Sequence, residues 1–168
     1  MPKIIENLEA RLMEEAEKQI TKNGYGAMTM RSVAKGCGIG VGTVYNYFSC
    51  KEELVAKFLL KDWNEALADF DAISANSQTV RPAARHIYDF LTAFARRHAA
   101  IFQDFSASAS FGASYSQYHR LLRQQLAKPL RKFCESDFAA EFASEALLTW
   151  TMASKDFDEL FCMLEKLF

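Results

Sequence analysis

Between Glu17 and Glu52 this chain of 168 residues carries no acidic side chain. Its other absences are as informative. No apolar run reaches the roughly 18 residues that a membrane-spanning helix needs, and no signal-peptide pattern opens the chain, so a cytoplasmic protein is expected. The four cysteines, Cys37, Cys50, Cys134 and Cys162, are scattered without a CxxC pair, and the three histidines are as dispersed. Reduced thiols are therefore expected, and no metal site. There is no glycine-rich phosphate loop, no nucleophile elbow and no cluster of metal-ligating residues, so neither an enzyme nor a bound cofactor is expected. Strand-like alternation of useful length is missing too, which leaves an all-α fold.

What is present gives the acid-free stretch a meaning. It holds Lys18, Lys22, Arg31, Lys35 and Lys51 in a molecule whose net charge is only −1. Any affinity for nucleic acid must then be local to this region. Within it, Thr29 to Lys51 reads as a helix, a tight turn and a second short helix. Thr29 can cap the first helix with its hydroxyl. Val33 and Ala34 face inward, Arg31 and Lys35 outward. Gly38 supplies a residue able to turn with positive φ, and Ile39 anchors that turn. From Gly40 a second helix begins, with Val44 and Phe48 inward. Val41, Gly42, Thr43, Tyr45, Asn46 and Tyr47 are left outside, a face of hydroxyls, an amide and small groups suited to a DNA groove.

The remaining segments are helical by periodicity. Residues 3 to 22 carry Ile5, Leu8, Leu12, Ala16 and Ile20 on one stripe. Tyr25, after this helix, can pack under the motif. A long helix runs from Lys51 to Ile73, and residues 74 to 80 form a polar loop. Pro82 suits the first turn of the next helix, which keeps Ile87, Leu91, Phe94, His98, Ile101 and Phe105 on one face. Residues 106 to 115 should break that helix. A further helix runs to Phe133, with Pro129 expected to kink its last turns or end it early. Two closing helices are expected at about 137 to 153 and 156 to 167. The domain boundary is placed at residue 50, with a DNA-binding head at 1–50 and a helical dimerisation and effector domain at 51–168.

The order Thr29-x-Arg31, Val33-Ala34, Gly38-Ile39, Gly42-Thr43-Val44-Tyr45, Phe48 and Lys51-Glu52-Glu53-Leu54 resembles the N-terminal domain of TetR-type (TetR/AcrR) transcriptional regulators, over about residues 5 to 60. Two positions depart from that pattern. Gly40 stands where a capping Ser is common, and Cys50 where Ser, Asn or Asp often caps the next helix; Ser49 with Glu52 can form a capping box instead.

The resemblance implies a homodimer of three-helix heads, each joined by a long helix to a C-terminal bundle, reading a near-palindromic operator in double-stranded DNA. Thr29, Arg31, Tyr45, Tyr47 and Lys51 would then hold phosphates, while Val41, Thr43 and Asn46 reach bases beside Gly42. A repressor released by a small effector is the expected regulation. Trp63, Phe90, Phe94, Phe102 and Phe105, with Phe111, Tyr115, Tyr118 and His98, are candidates to line a pocket for an apolar or aromatic effector. The closing helices would pair with their mates through Phe142, Ala146, Trp150 and Phe157, and through Leu160, Phe161, Leu164 and Leu167. A regulator-like dimer acting mainly through a protein partner is the alternative. Cys50, at a helix start beside Lys51, is a candidate redox-sensitive thiol.

Overall fold

The computed structural model describes residues 7–75, 77–104 and 112–168, and the side chains of these apart from 68–75 and 112–117. Helices are α1 (Leu8–Asn23), α2 (Met30–Cys37), α3 (Val41–Tyr45), α4 (Lys51–Ala75), α5 (Val80–Arg97), α6 (Ala99–Phe102), α7 (Gly112–Ala127), α8 (Asp137–Met152) and α9 (Phe157–Leu164). Short 3₁₀ turns follow at Arg131–Phe133 and Glu165–Leu167. The described residues contain no strand, and the fold is all-α.

The chain divides into two compact units. One comprises residues 1–63 and 98–114, the other residues 64–97 and 115–168. The division is drawn differently from the expected boundary at residue 50. The first half of α4, through Trp63, belongs with the head, and so does the segment that begins at His98.

The head is built on the stripe of α1. Leu8, Leu12, Ala16 and Ile20 are buried in one cluster with Met30, Val33 and Ala34 of α2, Val44, Phe48 and the first turns of α4. Each local signal does what its chemistry allows. Thr29 Oγ1 accepts from the Ser32 amide at 3.0 Å, and Ser32 Oγ accepts from the Thr29 amide at 3.0 Å, a reciprocal cap. Gly38 ends α2 with φ 69°, where a Cβ would be strained. At α4 the cap differs from expectation. Ser49 donates its amide and hydroxyl to Glu53 Oε2, each at 2.7 Å. The helix begins at Lys51, so Glu53 and not Glu52 occupies its third position.

In the second unit, Ala83, Ala84, Ile87 and Leu91 of α5 are buried, as are Ala140, Ala143 and Leu147 of α8 and Phe157, Leu160 and Phe161 of α9. α5 packs against α8 and α9. Ser136 caps α8 through the Ala139 amide at 3.1 Å, and Asp156 caps α9 through the amides of Asp158 and Glu159. Residues 130–133 leave the α-helical path: α7 stops at Ala127, before Pro129, as the proline requires. The helix expected to run past His98 instead ends at Arg97. His98 has φ −104° and ψ 24°, outside the helical well, and α6 restarts after it.

Burial also re-sorts the apolar residues of the closing helices. Phe157, Leu160, Phe161 and Leu164 are buried within the chain itself, Leu164 at 3% exposure. These four, expected at an interface between copies, pack inward within the chain. Ala146 and Leu167 are half-buried. What α8 turns outward is Phe142 and Trp150, together with Phe138 at 77% exposure, which sequence reasoning did not single out for an interface. Spacings of four and eight along α8 put all three on one side.

Candidate nucleic-acid interface

The outward face of the head is assembled from three short pieces. α2 presents Arg31 and Lys35, both exposed. The turn through Gly38 sets α3 behind it, its Ile39 amide bonded to the Ala34 carbonyl at 3.0 Å. Val44 and Phe48 hold α3 down from below. On the other side Tyr45 and Tyr47 are 53% and 44% exposed, large values for aromatic side chains with no solubility role. Asn46 and Gly42 are exposed as well, while Val41 and Thr43 are half-buried and Val41 leans on the core.

α3 is shorter than the sequence implies. It spans five residues, and no side chain caps its start at Gly40. Asn46 therefore sits at its C-terminal cap and not in its middle. Its φ of −73° and ψ of −19° still continue the helical path. The amides of Tyr47 and Phe48 bond the Val44 carbonyl at 3.0 Å, so the turn after α3 is as fixed as the helix.

Lys51 is placed unlike a simple phosphate anchor. Its Nζ donates to the Tyr25 carbonyl oxygen at 2.5 Å and lies 3.8 Å from the centroid of the Tyr25 ring. Partial burial holds its pKa below the ordinary lysine value, against the pull of Glu52 and Asp104. Tyr25 in turn is buried and donates its hydroxyl to Glu52 Oε1 at 3.3 Å. Burial, then the Glu52 charge, pushes its phenol well above the usual range. Sequence reasoning placed Tyr25 under the motif but missed its bond to Lys51, which bridges 26 residues and leaves no local spacing to read.

A second set of bonds locks α2 against α1. Gln19 Nε2 donates to Glu15 Oε1 at 2.7 Å and to the Ser32 carbonyl at 3.1 Å, and Ser32 Oγ donates to Gln19 Oε1 at 2.5 Å. Arg11 donates to the Cys37 carbonyl at 3.3 Å, and the Cys37 thiol to the Arg11 carbonyl at 3.6 Å. Burial, then Glu15, raises the Cys37 pKa. Cys50 is exposed.

The expected effector residues divide between the units. Trp63 and His98 are buried in the head, and Phe102 there is exposed. Phe90 and Phe94 of the second unit stack at 6.5 Å between centroids, and Tyr118 is half-buried. Phe105 and Phe111 lie outside the described residues, as does the side chain of Tyr115.

A helix, a glycine turn and a short helix whose outer face is tyrosine and asparagine define a helix-turn-helix protein of the kind that docks on DNA. The head has relatives of known kind: residues 12–58 match the family profile described as bacterial regulatory proteins, tetR family, so this segment is similar to the DNA-binding domain of TetR-type regulators. Over 60 residues it is 35% identical to the HTH-type transcriptional regulator UidR of Escherichia coli K12, covering 36% of this chain and 31% of that one. Over 43 residues it is 49% identical to the HTH-type transcriptional regulator YhgD of Bacillus subtilis, covering 26% and 22%. The chain thus spans about a third, or less, of the length of these curated relatives. Among solved structures, Thermus thermophilus FadR, a TetR-family repressor in complex with lauroyl-CoA, superposes with a TM-score of 0.68. That match covers 95% of this chain and 92% of FadR at 16% identity, and shows the fold. The relatives that match are described as regulators, not enzymes. No helix among the described residues is long and apolar enough to cross a membrane.

Proposed function

We propose that this chain is a sequence-specific DNA-binding transcriptional regulator that acts as a homodimer in the cytoplasm. The observation that carries the reading is the exposed face Tyr45–Asn46–Tyr47, rigidly backed by Val44 and Phe48, in a head whose surface from Lys18 to Lys51 has no carboxylate. Asn46 offers a donor and an acceptor that can pair bidentately with adenine, and the Thr43 methyl can meet a thymine methyl. Tyr45, Tyr47, Thr29 and Arg31 supply hydroxyls and a guanidinium for phosphates. Lys51 joins them by releasing its bond to Tyr25 or by holding the tyrosine loop in place from behind.

The face of Phe138, Phe142 and Trp150 supports dimerisation, since an isolated chain in water gains nothing by exposing three aromatics on one side of a helix. Two heads would then read two half-sites of a near-palindrome. Repression relieved by an apolar or aromatic effector is supported by the stacked pair Phe90 and Phe94, and by the lauroyl-CoA held by the structurally similar FadR.

Selection of bound fragments from genomic DNA tests the reading. A recurrent inverted repeat is the expected result. Recovery of no sequence above background would contradict it and favour a dimer that acts on a protein partner. A thermal-shift screen of apolar and aromatic compounds, followed by DNA release, tests the effector. Stabilisation without release removes that part.

A further inference from the structure

Glu17 of α1, Asp62 of α4 and His98, the residue between α5 and α6, are far apart in sequence, yet each offers a ligand atom within 4.8 Å of the others. All three belong to the head unit. Asp62 and His98 are buried, and His98 Nε2 lies 3.3 Å from Asp62 Oδ2. The Phe58 ring stands 6.2 Å from the imidazole, so one wall of the cluster is apolar. The break in the helix at His98, which periodicity would have carried straight through, is what delivers the imidazole to the two carboxylates.

From this convergence we propose that Glu17, Asp62 and His98 form a binding site for a divalent first-row transition ion, with zinc the best fit. Charge supplies the first argument. Two carboxylates and an imidazole bring negative charge and lone pairs to one point, an arrangement that attracts a cation. Two carboxylates, a neutral imidazole and a divalent cation sum to zero. Distance supplies the second. Ligand atoms about 2.1 Å from a tetrahedral zinc are about 3.4 Å apart, and the His98–Asp62 separation already matches. Closing a gap of up to 4.8 Å to that spacing takes at most about 1.4 Å of side-chain movement, available at Glu17, which is only half-buried. The donor set supplies the third: one nitrogen among oxygens disfavours calcium and magnesium, which take oxygen ligands, and the absence of a thiolate disfavours copper(I). The inference does not depend on DNA binding.

The test uses the full chain, freed of metal with a chelator and titrated with zinc chloride, with magnesium chloride as the comparison. Zinc should bind once per chain and raise Tm, and magnesium should leave Tm unchanged. Glu17→Gln should weaken zinc binding at least tenfold while melting like the parent in chelator. Should that variant not fold, cobalt(II) added to the unaltered chain decides. Visible d–d bands without a thiolate charge-transfer band in the near ultraviolet would support nitrogen and oxygen donors. A thiolate band would assign the ion to the cysteines and overturn the site. Zinc binding that is absent, or equal in Glu17→Gln, would overturn it as well.

Discussion

In the head, Leu12, Val33, Val44 and Phe48 close on one another, and among the described residues the large apolar groups left outside are the tyrosines of the α3 face and Phe102. In the second unit, Ile87, Leu147, Phe157 and Leu164 close in the same way, but Phe138, Phe142, Trp150 and Met163 remain in water. The exposed groups differ in kind. Tyr45 and Tyr47 end in hydroxyls that suit a wet, charged groove, whereas the phenylalanines and Met163 offer little but area. One unit is finished as a folded body and shows a polar outer face. The other is finished inside and still has exposed apolar surface, the face that the proposed dimer would cover.

The sharpest break in that comparison comes from charges placed on the two sides of the α8–α9 pair. Leu164→Asp puts a carboxylate in the core and should cost at least about 3 kcal/mol, enough to unfold much of the chain at 25 °C. Phe142→Asp with Trp150→Glu should leave the fold intact and convert a dimer to a 19.0 kDa monomer. Light scattering with circular dichroism separates the outcomes. A double variant that stays dimeric would place the interface elsewhere.

A smaller effect probes how tightly the head is closed. A Cβ on Gly36 would collide with the Glu15 carboxylate, which Gln19 holds at 2.7 Å. Gly36→Ala should therefore destabilise by roughly 1–2 kcal/mol in urea titration, despite the better helix propensity of alanine. Glu15→Ala in the same background should recover part of the loss.

The smallest effect is a gain in the second unit. Ser154 sits at φ 60° after α8, its amide bonded to the Thr151 carbonyl at 2.9 Å while the Lys155 amide bonds that of Trp150 at 2.9 Å. This is the Schellman arrangement, where glycine carries no Cβ penalty. Ser154→Gly should stabilise by about 0.5–1 kcal/mol, read as a higher urea midpoint with unchanged slope.

The two units were also unequally legible in the sequence. Thr29, Gly38, Val44 and Phe48 act over spacings of a few residues, so capping, positive φ and helical period each point to one local structure, and the resemblance to TetR-type heads reinforces them. The sequence overstates the length of α3 because Asn46 keeps helical dihedrals while the amides of Asn46 and Tyr47 bond carbonyls three residues back, a tightened last turn. In the second unit, periodicity shows that α9 is apolar but cannot say whether its own chain covers it. That depends on α5 and α8, and it turned Leu164 inward while leaving Phe142 out. The Lys51–Tyr25 bond and the Glu17–Asp62–His98 convergence join distant segments, and neither leaves any pattern along the chain.

The central claim is that the face at the end of α3 reads bases and does not merely hold phosphates. Asn46→Ala is the most direct measurement, made on the selected operator and on random DNA across a salt series, once its melting matches the parent. The account predicts a loss of roughly 1–3 kcal/mol per half-site on the operator, little on random DNA, and an unchanged slope of log affinity against log salt. Arg31→Ala should do the reverse, weakening every sequence alike and flattening the slope by about 2 for a dimer. Equal loss on operator and random DNA for Asn46→Ala would contradict the account and move base reading to Thr43 and Val41.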